Sequence, residues 1–283
     1  MIRNRKAVIE MTIGLAVMAG AVQAQTLINT CPFVISSPGR YLLGSDLICG
    51  GGNGITITSS NVTLALEGHS ITAGADANIA ISAQGSSFTI RLEGVRIFGP
   101  GLITNGGGNA FATGVFFQFA NDSEVSGVTV RGARGVGIGA ATADFMTITA
   151  NTLGRDGLGI ELIDVHSSTI SGNDASGNFD GMSATERVSG GPALGTVSYN
   201  IFNGNTVNGL GVAAFAGATI QHNVTNGNGT NGIVFGGVMT GIIELTNNTS
   251  LANGNFDLFT QPNCPGSMSS GNKFFTANQS CIH

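Results

Sequence analysis

Few side chains in this protein can do acid–base chemistry, since only 10% of its 283 residues are charged. The densest gathering is Arg155, Asp156, Glu161, Asp164 and His166, followed by Asp180, Glu186 and Arg187. Asp156 and Asp180 each stand just before a glycine. If they occupy the same place in successive repeats, their carboxylates stack about 5 Å apart, the separation of a retaining glycosidase pair. The same spacing suits a shared proton or a Ca²⁺ ion. Glu161 is expected to point outward between Gly139 and Thr185, with Arg155 or Arg187 assisting. Small residues at Gly137, Gly139, Gly159, Gly211 and Ala213 would leave a flat groove beside this cluster. The plainer alternative is that Asp-Gly is a turn with the carboxylate capping its own backbone. Asn208 and Asn231 stand before glycines in the same way and need no catalysis.

Whatever positions these residues repeats. A glycine followed by an apolar residue returns at Gly135-Val136, Gly157-Leu158, Gly181-Met182, Gly209-Leu210 and Gly232-Ile233, with Asn255-Phe256 as a relative. Self-similarity at 22–24 residues marks a solenoid, whose repeats bury their apolar faces by stacking on one another. The longest interval, Met182 to Leu210, places an insertion at Val188–Gly195. Between the glycines run alternating stretches such as Leu158-Gly-Ile-Glu-Leu162 and Thr169-Ile-Ser171, which have the two-residue period of strands. The 45 glycines and abundant Asn, Ser and Thr supply turns, and no long helical stripe follows the N-terminal region. A leucine-rich framework is absent. The expected fold is all-β: a right-handed parallel β-helix with disulfide-closed terminal caps. Asn151, Asn173, Asn205, Asn223 and Asn248 each end a strand-like segment, and coils about 4.8 Å apart would stack them as a hydrogen-bonded ladder.

Arg3, Arg5 and Lys6 precede an apolar run, Met11 to Val22, and a small-residue cleavage signature at Val22-Gln-Ala24. This reads as a secretory signal peptide over residues 1–24, placing the protein in the periplasm or outside the cell. The run is too short to span a membrane. The remaining domains read as an N-terminal cap over 25–54, the β-helix over 55–260 and a C-terminal cap over 261–283. Four cysteines allow three connectivities, and pairing Cys31 with Cys49 and Cys264 with Cys281 is the simplest for a rod with distant ends. A metal site on them lacks a Cys-x-x-Cys or a nearby His.

The segment Cys31-Pro-Phe-Val-Ile-Ser-Ser-Pro-Gly-Arg-Tyr-Leu-Leu-Gly-Ser-Asp-Leu-Ile-Cys49 resembles the N-terminal cap of secreted bacterial β-helix proteins. So do Ile55-Thr-Ile-Thr58 and Asn61-Val-Thr-Leu-Ala-Leu-Glu-Gly-His-Ser-Ile71, which puts His69 in a structural place. These proteins form the pectin-lyase-like superfamily, and the later Asn-Gly repeats are similar to those of periplasmic copper-accessory β-helix proteins. The resemblance implies the fold and leaves the function open, because one solenoid hosts lyases, hydrolases, epimerases and adhesins.

Several functions are disfavoured. Paired aspartates with an Arg-x-Lys, as in pectate-lyase-like enzymes, are missing, and Lys273 is the only lysine after the signal region. There is no Trp, and only Tyr41 and Tyr199 carry phenols, so a tight sugar cleft is not visible. Phe117, Phe235 and Phe256 read as core, while Phe111, Phe116 and Phe119 cluster on one coil. His69, His166, His222 and His283, like Met146, Met182 and Met239, form no column for copper. A net charge of −5 without a basic stripe disfavours nucleic acid. Gly50–Gly54 and Gly106–Gly108 open no helix and cradle no phosphate. The expected function is an exported scaffold binding polysaccharide or cell-envelope glycan along the solenoid face, without cofactor and with its oligomeric state open. The alternative is a polysaccharide lyase or glycoside hydrolase using Asp156, Asp180 and Glu161, with Ca²⁺ as a possible ion.

Overall fold

The computed structural model describes residues 25–187, 192–237, 240–261 and 268–278. The segment read as a signal peptide, much of the Val188–Gly195 insertion, Met239, His283 and the expected Cys264–Cys281 pairing lie outside them. Among the described residues there are 28 strands and no helix. Ten strands form one sheet, from Phe33–Ile35 to Phe256–Thr260, and fourteen form another, from Gln25–Ile28 to Met268–Ser270. From Leu158–His166 to Ile243–Thr246 successive strands alternate between the two, and the ladders of both sheets are parallel. The chain is therefore a β-solenoid, each coil returning about 4.8 Å further along the axis.

Alternation drives this. In the ten-stranded sheet Ile138, Ile160, Met182, Leu210, Ile233 and Leu258 stack in register, all nearly or fully buried. On the other side of the core, Ile97, Val125, Ile148, Ile170, Val197, Ile220 and Leu245 form the facing column. Phe111, Phe117, Phe202 and Phe215 fill it, with Phe235 at 6% exposure; Phe256 and Phe116 are only half-buried. Each buried branched side chain contributes about 1.5–3 kcal/mol.

Two polar ladders cross this apolar interior. The first runs Asn151, Asn173, Asn200, Asn223, Asn248, Asn272. Every rung from Asn151 to Asn248 donates both its backbone N–H and its side-chain Nδ2 to the Oδ1 of the next, at 2.9–3.0 Å. Each Nδ2 also reaches a backbone carbonyl on the preceding coil, as Asn200 does to Ile170 at 2.9 Å. Buried amides are costly unless satisfied, and here they are. Asn205 does not belong to this ladder; Asn200 takes the rung. Asn205 is part of a second ladder, Asp156, Asn178, Asn205, Asn228, Asn253, which ends on Asp257.

The second ladder and the carbonyls of the next coil's glycines together explain a glycine column. A Cβ on Gly159 would meet Asn178 Nδ2 at 2.9 Å, on Gly181 Asn205 Nδ2 at 2.8 Å, and on Gly209 Asn228 Nδ2 at 2.8 Å. Gly137 likewise faces Asp156 Oδ2 at 2.9 Å. Gly137 and Gly159 thus turn inward to make room for the ladder, not outward as a flat groove requires. Gly139 and Gly211 do face outward, flanking Glu161 and Ser183.

At the N-terminal end Cys31 and Cys49 form the expected disulfide, with Cα atoms 5.2 Å apart. His69 lies beside Asp46, with Nδ1 3.4 Å from Oδ1.

Candidate functional site

The expected pair of stacked aspartates does not form. Asp180 lies in register with Leu158, and Asp156 is instead the first rung of the second ladder. Two glycine–apolar phrases, Gly157-Leu158 and Gly159-Ile160, follow each other in one coil, and it is Ile160 that pairs with Met182. The strand period of two lets either phrase fit the pattern, and the register resolves to the second. Asp180 accepts hydrogen bonds from Asn208 N at 2.9 Å and Nδ2 at 3.2 Å, beginning a short outer row that Asn231 continues. Glu161 projects from the ten-stranded sheet opposite Gly139 and Ser183, not Thr185. Burial pushes its carboxyl above the usual range, and it has no second carboxylate stacked on it.

The remaining charges of the cluster go to a different edge. Arg187 is held by Asp164 through its backbone N at 2.9 Å and Nε at 2.7 Å. His166 stands between Asp144, 2.8 Å from Nδ1, and Glu186, 2.6 Å from Nε2. Asp144 in turn takes Arg91 Nη1 at 2.8 Å, and Arg91 also reaches Asn121 at 2.9 Å. This row ties successive coils together. Both imidazole nitrogens are engaged within it, so His166 presents no free atom to a substrate.

Arg155 and Asp156 lie elsewhere, on a turn where three arginines converge. Arg131 ends the strand Glu124–Arg131 and pairs in register with Gly154 one coil on, which sets it beside Arg155. Arg155 occupies a left-handed turn at φ 61°. Arg134 follows Arg131 after one turn and makes a single long contact, Nη2 to the Ala77 carbonyl at 3.5 Å. The Asn105 amide, oriented with its nitrogen toward the carbonyls of Gly132 (2.6 Å) and Arg131 (3.1 Å), pins the loop between them. The three side chains line a groove of about 560 Å³ with Thr104, Ala110 and the 155–157 turn. Smaller hollows continue it on both sides: one of about 330 Å³ shares Arg131 and Arg155, and one of about 420 Å³ contains Arg134.

These arginines are unspent. Arg91, Arg96 and Arg187 each meet a carboxylate, whereas Arg131, Arg134 and Arg155 form no ion pair among the described residues. The acids that line the groove and its extensions are Asp156, Asp174 and Asp76. Asp156 is only 4% exposed. Burial pushes its carboxyl up to about 7, against the lowering effect of hydrogen bonds from the Ala133, Gly132 and Gly154 backbone. Its Oδ1 accepts Ala133 N at 2.7 Å, while Oδ2 is buried without a partner. The arrangement can receive an anion through planar two-pronged contacts. Arg131 and Arg134 escaped sequence reasoning; the one signal for them is that Arg131 and Arg155 stand one repeat apart. Among the described residues no cluster of three or more His, Cys, Asp or Glu is placed to hold a metal ion.

The fold matches solved structures at low identity. The periplasmic alginate epimerase AlgG is 17% identical over 83% of this chain, with a TM-score of 0.47, and the chain spans 64% of that protein's length. The A-module of the Azotobacter vinelandii mannuronan C-5 epimerase AlgE4 is 12% identical over 88% of this chain and 79% of its own, with a TM-score of 0.49. The Dettilon tailspike protein is 13% identical over 89% of this chain and 60% of its own, with a TM-score of 0.45. No curated protein matches by sequence. Residues 108–250, half of the chain, match the family described as right handed beta helix region, and the protein belongs to that family.

Proposed function

We propose that this protein is an exported scaffold that binds an acidic polysaccharide along one side of its solenoid. The observation that carries the reading is the arginine groove: Arg131, Arg134 and Arg155 on neighbouring coils, each without a carboxylate partner, in a chain of net charge −5. A regular polymer with a carboxylate on each sugar is complementary to cations repeated at the coil spacing. Binding of this kind needs no cofactor. Acid–base chemistry on stacked aspartates lacks its pair, since Asp156 and Asp180 are separated and Asp156 serves the ladder.

The test is isothermal calorimetry of the purified protein with polygalacturonate oligomers and, as a control, an uncharged glucan of equal length. Arg131→Gln and Arg155→Gln are each expected to weaken polygalacturonate binding about tenfold, one charge-assisted pair's worth. Added salt should weaken it further. A bound carboxylate opposes ionisation of Asp156, so affinity is expected to fall as pH rises through about 7. Equal affinity for the uncharged glucan, or indifference to both arginines, would remove the reading.

A further inference from the structure

We infer that Tyr199 is a preassembled platform for the apolar face of a sugar ring. The inference rests on the glycan reading above for the class of ligand, and on independent geometry for the site. Tyr199 belongs to the turn position of Ala150, at one end of the short segment whose other end carries Arg155. Its coil is two beyond that of Arg155, about 10 Å along the axis. The Tyr199 ring stacks on that of His222 from the next coil, with centroids 4.7 Å apart and planes 3° from parallel, yet Tyr199 remains 61% exposed.

The other face of the ring is open. One position of the turn repeats as Ala150, Gly172, Tyr199, His222 and Asn247, each backbone N–H donating to the following coil and each with φ between 54° and 64°. The residue stacked on the uncovered face is Gly172, and a Cβ there would find only Ala150 N, 3.9 Å away. A side-chain-free slot therefore stands over an aromatic ring whose underside is already supported.

The backbone marks the site as well. Left-handed φ is cheap for Gly or Asn and costs a bulky residue about 1 kcal/mol or more. Neighbouring coils use Ala, Gly and Asn at this position, and rings occur at Tyr199 and His222. The adjacent row offers polar partners: Ser171 and Gln221 lie in register on either side of Ser198, half-buried and without a side-chain hydrogen bond among the described residues. A pyranose presents an apolar C–H face edged by hydroxyls. An aromatic face flanked by a hydroxyl and an amide matches both features.

The chain reports on this site by itself. It has no Trp and two Tyr, and Tyr41 is 9% exposed with its hydroxyl donating to the Ser37 carbonyl at 2.9 Å. Tyrosine emission of the purified protein, titrated with polygalacturonate oligomers long enough to reach from the arginines, is expected to change and saturate together with the calorimetric isotherm. Tyr199→Ala should weaken binding about tenfold. Tyr199→Phe should preserve the affinity, since the ring and not the hydroxyl carries the contact. Gly172→Asn, which tolerates the left-handed turn and fills the slot, should abolish the emission change while circular dichroism stays unaltered. Calorimetric binding that depends on Arg155 but leaves the emission unchanged would overturn the platform and keep the arginine reading. Emission and calorimetry both silent would overturn the two together.

Discussion

At the scale of single residues, Asp156 and Asp257 show one side-chain type driven in opposite directions. Asp156 is a carboxyl doing the work of an amide: its backbone N–H reaches Asn178 Oδ1 at 2.9 Å as any rung does, but Oδ2 stands where an Asn would place a donor. Burial raises it from 3.8 to about 7, so the folded state prefers it neutral. Stability from this group is full below pH 3.8, declines as pH rises toward 7, and is lost above it. Asp156→Asn is expected to stabilise the protein above pH 7 by up to about 4 kcal/mol, and to be nearly neutral at pH 4. Urea midpoints at the two pH values measure this. Burial also opposes the charge of Asp257, but hydrogen bonds from Asn253, Phe275 and Thr276 outweigh it and hold that carboxyl below its usual range.

At the scale of elements, the coil is specified by amides spaced five apart. Asn151 and Asp156, Asn173 and Asn178, Asn200 and Asn205, Asn223 and Asn228, and Asn248 and Asn253 mark the two inward corners on either side of a short segment. That double signature was legible in the sequence, but Asn203-Gly-Asn205 offered an asparagine at a tempting distance and drew Asn205 into the wrong ladder. The glycine phrases fixed the fold class and the period. They did not fix the register, because Gly157-Leu158 and Gly159-Ile160 both satisfy a period of two. The candidate site suffered for the same reason: a slip of two residues moved Asp156 from the surface to the interior. The glycine column tests the corrected register. Gly209→Ala, pressed against the Gly232 carbonyl and Asn228 Nδ2, is expected to cost about 2 kcal/mol, while Gly211→Ala, whose nearest contact is 3.7 Å away, should cost almost nothing. Chemical denaturation of the two variants compares them directly; equal costs would mean that the inward glycine column is no more crowded than the outward one.

At the scale of the whole molecule, stability is a sum over neighbouring coils, so the ends decide when unfolding begins. The Cys31–Cys49 bridge closes an 18-residue separation at the first coils. Cys31→Ser with Cys49→Ser is expected to lower stability by about 3 kcal/mol. Hydrogen exchange should show the loss concentrated in residues 25–73, with the coils around Arg155 protected as before. Uniform loss along the rod would mean that the coils melt as one body.

The asparagine ladders also give the rod a direction. Wherever two side-chain amides of a row are linked, the donating Nδ2 is on the N-terminal coil and the accepting Oδ1 on the C-terminal one, while first-row Nδ2 groups also reach back to a carbonyl and Asn178 Nδ2 reaches back to Leu153. The amide dipoles therefore add head to tail, as peptide dipoles do in an α-helix, with the negative pole toward the N-terminus and the positive pole toward the C-terminus. The second row carries an acidic residue at each pole. Asp257 meets the positive pole, where a negative charge is welcome, and Asp156 closes the negative pole, where it is not. That polarity acts in the same direction as burial at Asp156 and as the hydrogen bonds at Asp257. It leaves the floor of the arginine groove as the place along this row where the protein most readily holds a proton.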